Sequence, residues 1–186
     1  MDDSSKRILH RWWQSMMLPS GELEKLNIMP SVSGQKAQLK RCQTVDAAML
    51  TEGFRNLWLS LDENITKNAR MSDMEYWAAI AVTLVHIKTD SNNKLAYAAG
   101  KKGDGDKSEV SELRFSQLQN AKTADEFIRR LRRMVQQLKG DISPLKTAED
   151  IERWFKEQNQ FYPRKADKRI SVQWAMDYYR AASGKT

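Results

Sequence analysis

Arg129, Arg130, Arg132 and Arg133 are the residues of this chain whose type and spacing best suit a chemistry. Planar guanidinium forks match phosphate oxygens two at a time, so what they offer is recognition of a polyanion rather than bond-making. They lie in TADEFIRRLRRMVQQLKG, Thr123 to Gly140. Thr123, with Asp125 and Glu126 behind it, is a helix start, and Lys139-Gly140 is a helix stop. At about 100° per residue, Phe127, Ile128, Leu131, Met134, Val135 and Leu138 fall within one apolar arc. The arginines take the rest of the circumference, with Arg129 and Arg133 nearest its centre. A solvated helix face also carries long cations, with Glu126 pairing to Arg129 or Arg130. The helix alone does not decide between the two.

Other chemistries find little support in the sequence. Two distant histidines and one cysteine lack zinc spacing, and no HExxH occurs. Cys42 has no histidine near it in sequence to activate it. The acids gather at helix starts, where capping and dipole effects account for them. GKKGDG, from Gly100, lacks the GxxxxGK[ST] spacing and follows no apolar strand. The expectation is a protein without enzymatic activity, metal or cofactor.

Charge supports the polyanion reading. The 186 residues carry a formal net charge of +7, with 40% apolar and 30% charged residues. Residues 1–100 hold 12 Lys and Arg against 11 Asp and Glu; residues 101–186 hold 19 against 13. A basic second half suits a nucleic-acid partner. Cys42 alone cannot form an intrachain disulfide, which points to a reducing compartment. MDDSSKRILHRWW has no signal-peptide pattern, and the apolar run Ala78–Ile87 is half the ~20 residues that span a bilayer. A cytoplasmic location without membrane contact is expected.

The elements that must hold the arginines read as helices throughout, an all-α chain. Ser4–Leu18 is amphipathic and stopped by Pro19-Ser20-Gly21. Ser33 caps a short helix ending at Lys40-Arg41, a pair that suits either the helix dipole or a phosphate. One helix is expected from Thr44 to Leu61, a loop over Asp62–Ser72, and a buried helix over Asp73–His86. Thr89–Lys107, rich in Gly, Asn and charge, reads as a flexible connection. Ser108 opens a short helix holding Leu113, Phe115 and Leu118; Thr147 caps another. After a break at Pro163 a last helix runs from about Ala166 to Ala182. These spans predict two small helical bundles, residues 1–90 and 108–186, joined by a flexible basic loop at 91–107. The six tryptophans fall mostly on apolar stripes and are assigned to cores. Tyr97, Tyr162 and Tyr179 are weak candidates for base stacking.

Taken in order, these pieces resemble the CasB family, the small subunit of the type I-E CRISPR surveillance complex, Cascade. Trp12-Trp13 is followed by Gly34-Gln-Lys-Ala37-Gln-Leu-Lys40-Arg41, similar to the family's G-x-x-A-x-L-R-R. Phe54-x-x-Leu57, the Tyr76–Val85 helix, Leu113-Arg114-Phe115-x-x-Leu118, Thr123-Ala-Asp-Glu and Leu131-Arg132-Arg133 come next. Trp154 follows, and Trp174-x-x-Asp177-Tyr178-Tyr179 resembles the family's terminal W-x-x-D-Y-Y. Coverage is nearly whole-chain. Lys40 stands where the family favours Arg, which keeps charge and loses the bidentate fork.

The resemblance implies a noncatalytic helical subunit, two copies lying head to tail beside the subunits that hold a guide RNA. Its partners would be guide RNA, both strands of target DNA, and the backbone and large subunits of Cascade. It would help hold the opened loop, displaced strand included, while base pairing reads sequence. Carried over by position, Lys40, Arg41, Arg114, Arg132, Arg133 and Arg169 are the expected nucleic-acid contacts. The helical reading adds Arg129 and Arg130, and Lys168 joins them as a basic neighbour of Arg169. An alternative is a helical adaptor whose basic face docks on an acidic protein.

Overall fold

Amphipathic runs separated by capping side chains produce a chain of helices. The computed structural model describes residues 1–160 and 164–184. Its helices are α1 (Asp3–Met17), α2 (Ser20–Lys25), α3 (Gln35–Arg41), α4 (Val45–Met49), α5 (Glu52–Ser60), α6 (Glu63–Thr66), α7 (Met71–Leu84), α8 (Leu95–Gly100), α9 (Glu112–Gln119), α10 (Ala124–Gln137), α11 (Pro144–Gln158) and α12 (Ile170–Ala182). The all-α reading holds. The exception is a parallel pair of two-residue strands, β1 (Thr89–Asp90) and β2 (Asp141–Ile142). The expected break at Pro163 and the stacking candidate Tyr162 lie outside the described residues.

Caps decide where the boundaries fall. Thr51 accepts a hydrogen bond from the Phe54 amide at 3.2 Å and opens its own helix, so the single helix expected over Thr44–Leu61 is two, α4 and α5. In α11 the cap is Ser143, with Pro144 at the first helical position; Thr147 is buried one turn inside, its hydroxyl donating to the Ser143 carbonyl at 2.8 Å. Proline costs nothing at that position, where its missing N–H would have no partner. The Asp62–Ser72 loop contains the single turn α6, and Leu113 points to solvent instead of into the core.

One hydrophobic core runs from Leu9 in α1 to Tyr178 in α12 and takes in residues of both halves. Its axis is α7, buried continuously from Tyr76 to Leu84 and packed against α4, α5, α10 and α11. Five of the six tryptophans are buried and Trp58 is half-buried, as their apolar stripes predict. The segment expected to be a flexible connection holds α8, whose Leu95, Ala96, Ala98 and Ala99 are buried against α12. A β-carbon on Gly100 would stand 2.1 Å from the Tyr178 carbonyl oxygen, so the two backbones meet there because glycine leaves the space.

Under α10 the apolar arc meets an aromatic stack. Phe127 lies parallel to Trp154, ring centroids 4.1 Å apart, and to Trp174 at 6.3 Å, with Phe155 edge-on. The start of α10 is tied by Thr123, which accepts from the Glu126 amide, and by Asp125, which accepts from the Val45 amide of α4 at 2.8 Å. Its end turns through Lys139 and Gly140, both in the left-handed region at φ 57° and 76°. The Gly140 carbonyl accepts from Lys88 at 2.9 Å, and a β-carbon on Gly140 would meet the His86 carbonyl at 2.6 Å. The end of α7 is thereby held beneath the basic helix.

Candidate nucleic-acid interface

With its apolar arc locked onto the core, α10 has one orientation, and its arginines face outward. They do not share one environment. Arg129 and Arg133 are exposed and, among the described residues, have no hydrogen-bond or ion-pair partner. Arg130 pairs with Glu126 one turn back and donates to the Gln117 carbonyl of α9, bridging two helices. Glu126 also accepts from the Lys122 amide at 2.8 Å, and that bond with the nearby guanidinium groups holds its carboxyl below the usual range.

Arg132 is the exception. It is half-buried, and its guanidinium donates to the Lys40 carbonyl at 2.6 Å, the Cys42 carbonyl, and His86 Nε2 at 3.1 Å. These are orphan carbonyls at the end of α3, which Arg132 caps from another helix. Because His86 Nε2 accepts from Arg132, the neutral ring carries its proton on Nδ1, 3.3 Å from the Gln136 side-chain amide, whose oxygen is the atom that can accept it. Burial pushes the His86 pKa down to about 4, helped by the Arg132 and Lys40 charges. The side chain that the family motif offers as a phosphate contact is fastened into the fold.

Two clefts open along this helix and share Arg133 and Gln136. One, of about 370 Å³ between α9 and α10, is lined by Arg114, Arg130, Arg133, Gln117, Gln136 and Gln137 above Val110 and Met134. Arg114 donates to the Gln137 side-chain oxygen at 2.8 Å, which fixes it at the rim. The second, of about 170 Å³, is lined by Arg129, Arg132, Arg133, Gln43 and Gln136. Five arginines line the two clefts and, among the described residues, no carboxylate does. In such a groove an anion meets several donors, of which Arg130 alone is already paired to a carboxylate among the described residues.

Beyond the second cleft the positive surface continues to the end of α3. Burial lowers the Lys40 pKa, and the charges of Lys36 and Lys88 lower it further. Lys36 and Lys88 were missed in the sequence. Lys36 is one helical turn before Lys40, a spacing that could have found it, whereas Lys88 arrives from the end of α7 through tertiary packing alone. Arg41 is exposed at the same helix end.

Lys168 and Arg169 line neither cleft. They occupy the 3-10 turn and cap ahead of α12, with Lys168 at 3.7 Å from Asp167 and Arg169 Nε donating to the Arg164 carbonyl at 3.1 Å. The start of α12 does reach α9, through Gln119 donating to the Ser171 carbonyl at 2.7 Å. Of the stacking candidates, Tyr97 is half-buried with the Lys101 ammonium 5.5 Å from its ring centre, and Tyr179 is exposed on α12. Neither ring lines the clefts.

Among the described residues, no group of three or more His, Cys, Asp and Glu is placed to hold a metal ion, and no helix is long and apolar enough to cross a membrane. No curated protein and no solved structure gives a significant match to the chain. The family model described as CRISPR-associated protein Cse2 matches residues 35–179, a span that takes in α3, the arginine helix and both clefts. The chain belongs to that family, the small-subunit family of type I-E Cascade that its ordered motifs resemble.

Proposed function

We propose that this chain is the noncatalytic small subunit of a cytoplasmic, RNA-guided CRISPR surveillance complex, gripping nucleic-acid backbone without reading its sequence. In that role it stabilises the loop in which guide RNA pairs with target DNA and the displaced strand is held open. The observation that carries the reading is the pair of adjoining clefts lined by five arginines and, among the described residues, no carboxylate. Replacing a DNA duplex by an RNA–DNA duplex is nearly balanced in energy, so a few charge-assisted phosphate contacts tip it. Arg129 and Arg133 are the working contacts, Arg114 and Arg130 are braced beside them, and Arg132 positions the end of α3, where Lys40 and Arg41 extend the surface. Lys168 and Arg169 form a separate point of contact. Its partners are the backbone and large subunits and a second copy placed head to tail.

The test is the double variant Arg129→Ala, Arg133→Ala assembled into the complex. Both side chains are exposed, so assembly is retained while the loop dissociates faster. The salt slope of target binding should fall by about 0.7–0.9 for each phosphate that is no longer neutralised. An unchanged loop lifetime and slope would overturn the reading. An acidic protein bound in place of nucleic acid would make the chain an adaptor.

A further inference from the structure

Backbone gripping needs cations on a surface, yet the larger cleft is more than that. At about 370 Å³ it falls at the small end of the ~300–1,000 Å³ range of small-ligand sites, the size class of one nucleotide rather than a duplex. Its rim is cationic, its walls carry amides, and Met134 and Val110 lie beneath. A phosphate can take the amide N–H groups but has no use for the amide oxygens or the apolar floor.

The side chains are also prepared for such a guest. Arg114 is fixed by Gln137, and Arg130 by Glu126 and the Gln117 carbonyl, so two guanidinium planes stand in place before anything binds. The Gln117 side-chain amide has no protein partner among the described residues, leaving a donor and an acceptor free on a residue that lines the cleft. Guanidinium planes stack on nucleobases, and a free amide pairs with the edge of any base. Arg133, shared with the second cleft, can hold a phosphate at the cleft mouth.

We infer that the cleft between α9 and α10 receives one unpaired nucleobase of a single strand, stacked on the Arg114 or Arg130 guanidinium plane over Met134 and met by Gln117, while the backbone crosses Arg133. The inference rests on the nucleic-acid reading above and deepens it. The guest is single-stranded because a base inside a duplex has both faces and its pairing edge already occupied. Recognition by stacking is tolerant of sequence, so the base site agrees with a grip that reads none.

The test uses the full chain carrying methyl-labelled methionine, titrated with a dT oligomer of about eight nucleotides and with its abasic counterpart, which keeps every phosphate. The abasic strand is expected to bind about fivefold or more weakly, with an unchanged salt slope. The Met134 methyl resonance shifts with the dT oligomer and stays still with the abasic one, and the Met16 methyl, buried in the core at α1, moves with neither. Equal affinity for the two strands at a steep salt slope overturns the base site and leaves the backbone reading standing. A Met134 shift that is absent, or alike for both strands, overturns it too. Binding of neither oligomer at low salt removes both readings.

Discussion

Residue identity does not settle what an arginine on α10 is for; its neighbours do. Arg132 and Arg133 are adjacent in sequence and alike in motif, but one is threaded between Lys40, Cys42 and His86 while the other is in solvent. Removing Arg132 leaves two carbonyls and an imidazole without their charged donor, a loss of about 1.5–3 kcal/mol for hydrogen bonds of this kind. Arg132→Ala is therefore expected to lower the denaturation midpoint clearly, and Arg132→Lys to recover little, since a point ammonium cannot serve three acceptors spread across a fork. Arg133→Ala should stay within about 0.5 kcal/mol of the parent, as exposed substitutions do. Denaturant unfolding of the three variants checks this; equal midpoints for Arg132→Ala and Arg133→Ala would show that the buried fork contributes nothing. The sequence revealed the outward face of four arginines, but not that Arg132 bends back. That depends on α3 ending beside α10, a pairing of residues 92 positions apart at Lys40 and Arg132.

At the scale of elements, amphipathic periodicity marked α1, α7, α10 and α12, because each buries one clear stripe or an entirely apolar run. It failed where small residues carry the packing. Leu95-Ala-Tyr-Ala-Ala-Gly100 followed by Lys101-Lys-Gly-Asp-Gly looks like loop, because Ala and Gly contribute little hydrophobic signal and the neighbouring charges dominate any window. In the fold those small residues let α8 lie against α12 at backbone contact. Gly100→Ala then has no soft solution, since the obstructing atom is the Tyr178 carbonyl oxygen and not a movable side chain. The cost should reach the upper end of the ~1–3 kcal/mol typical of overpacking, with amide exchange in α8 and α12 accelerating before that in α7. Protection in α12 equal to the parent's would mean that the helices do not meet this closely.

For the whole molecule, a core continuous from α1 to α12 makes distant titrations additive in one stability, and two groups pull it in opposite directions. His86 is held neutral, its pKa pushed from the ordinary 6.5 to about 4. The unfolded chain takes up its proton as pH falls through 6.5 and the folded chain does not, so stability drops between about 6.5 and 4 and levels below that. Solvent screening of the partly exposed ring keeps the effect below the ~3 kcal/mol that the shift alone would give. Asp150, whose carboxylate accepts from the Trp174 indole at 2.9 Å, is raised by burial to about 6 from 3.8. It binds its proton in the folded chain first, so its contribution grows as pH falls from 6 to 4 and offsets much of the histidine's. The parent's stability should change little across this window for that reason, and a flat profile by itself would mislead. His86→Gln keeps an acceptor for Arg132 without the titration. The difference between parent and variant should therefore widen in the variant's favour from pH 6.5 to 4, and the variant's own stability should rise as Asp150 protonates. Parallel profiles for the two proteins would show that His86 is as accessible to protons folded as unfolded, and that Arg132 does not depend on a neutral ring.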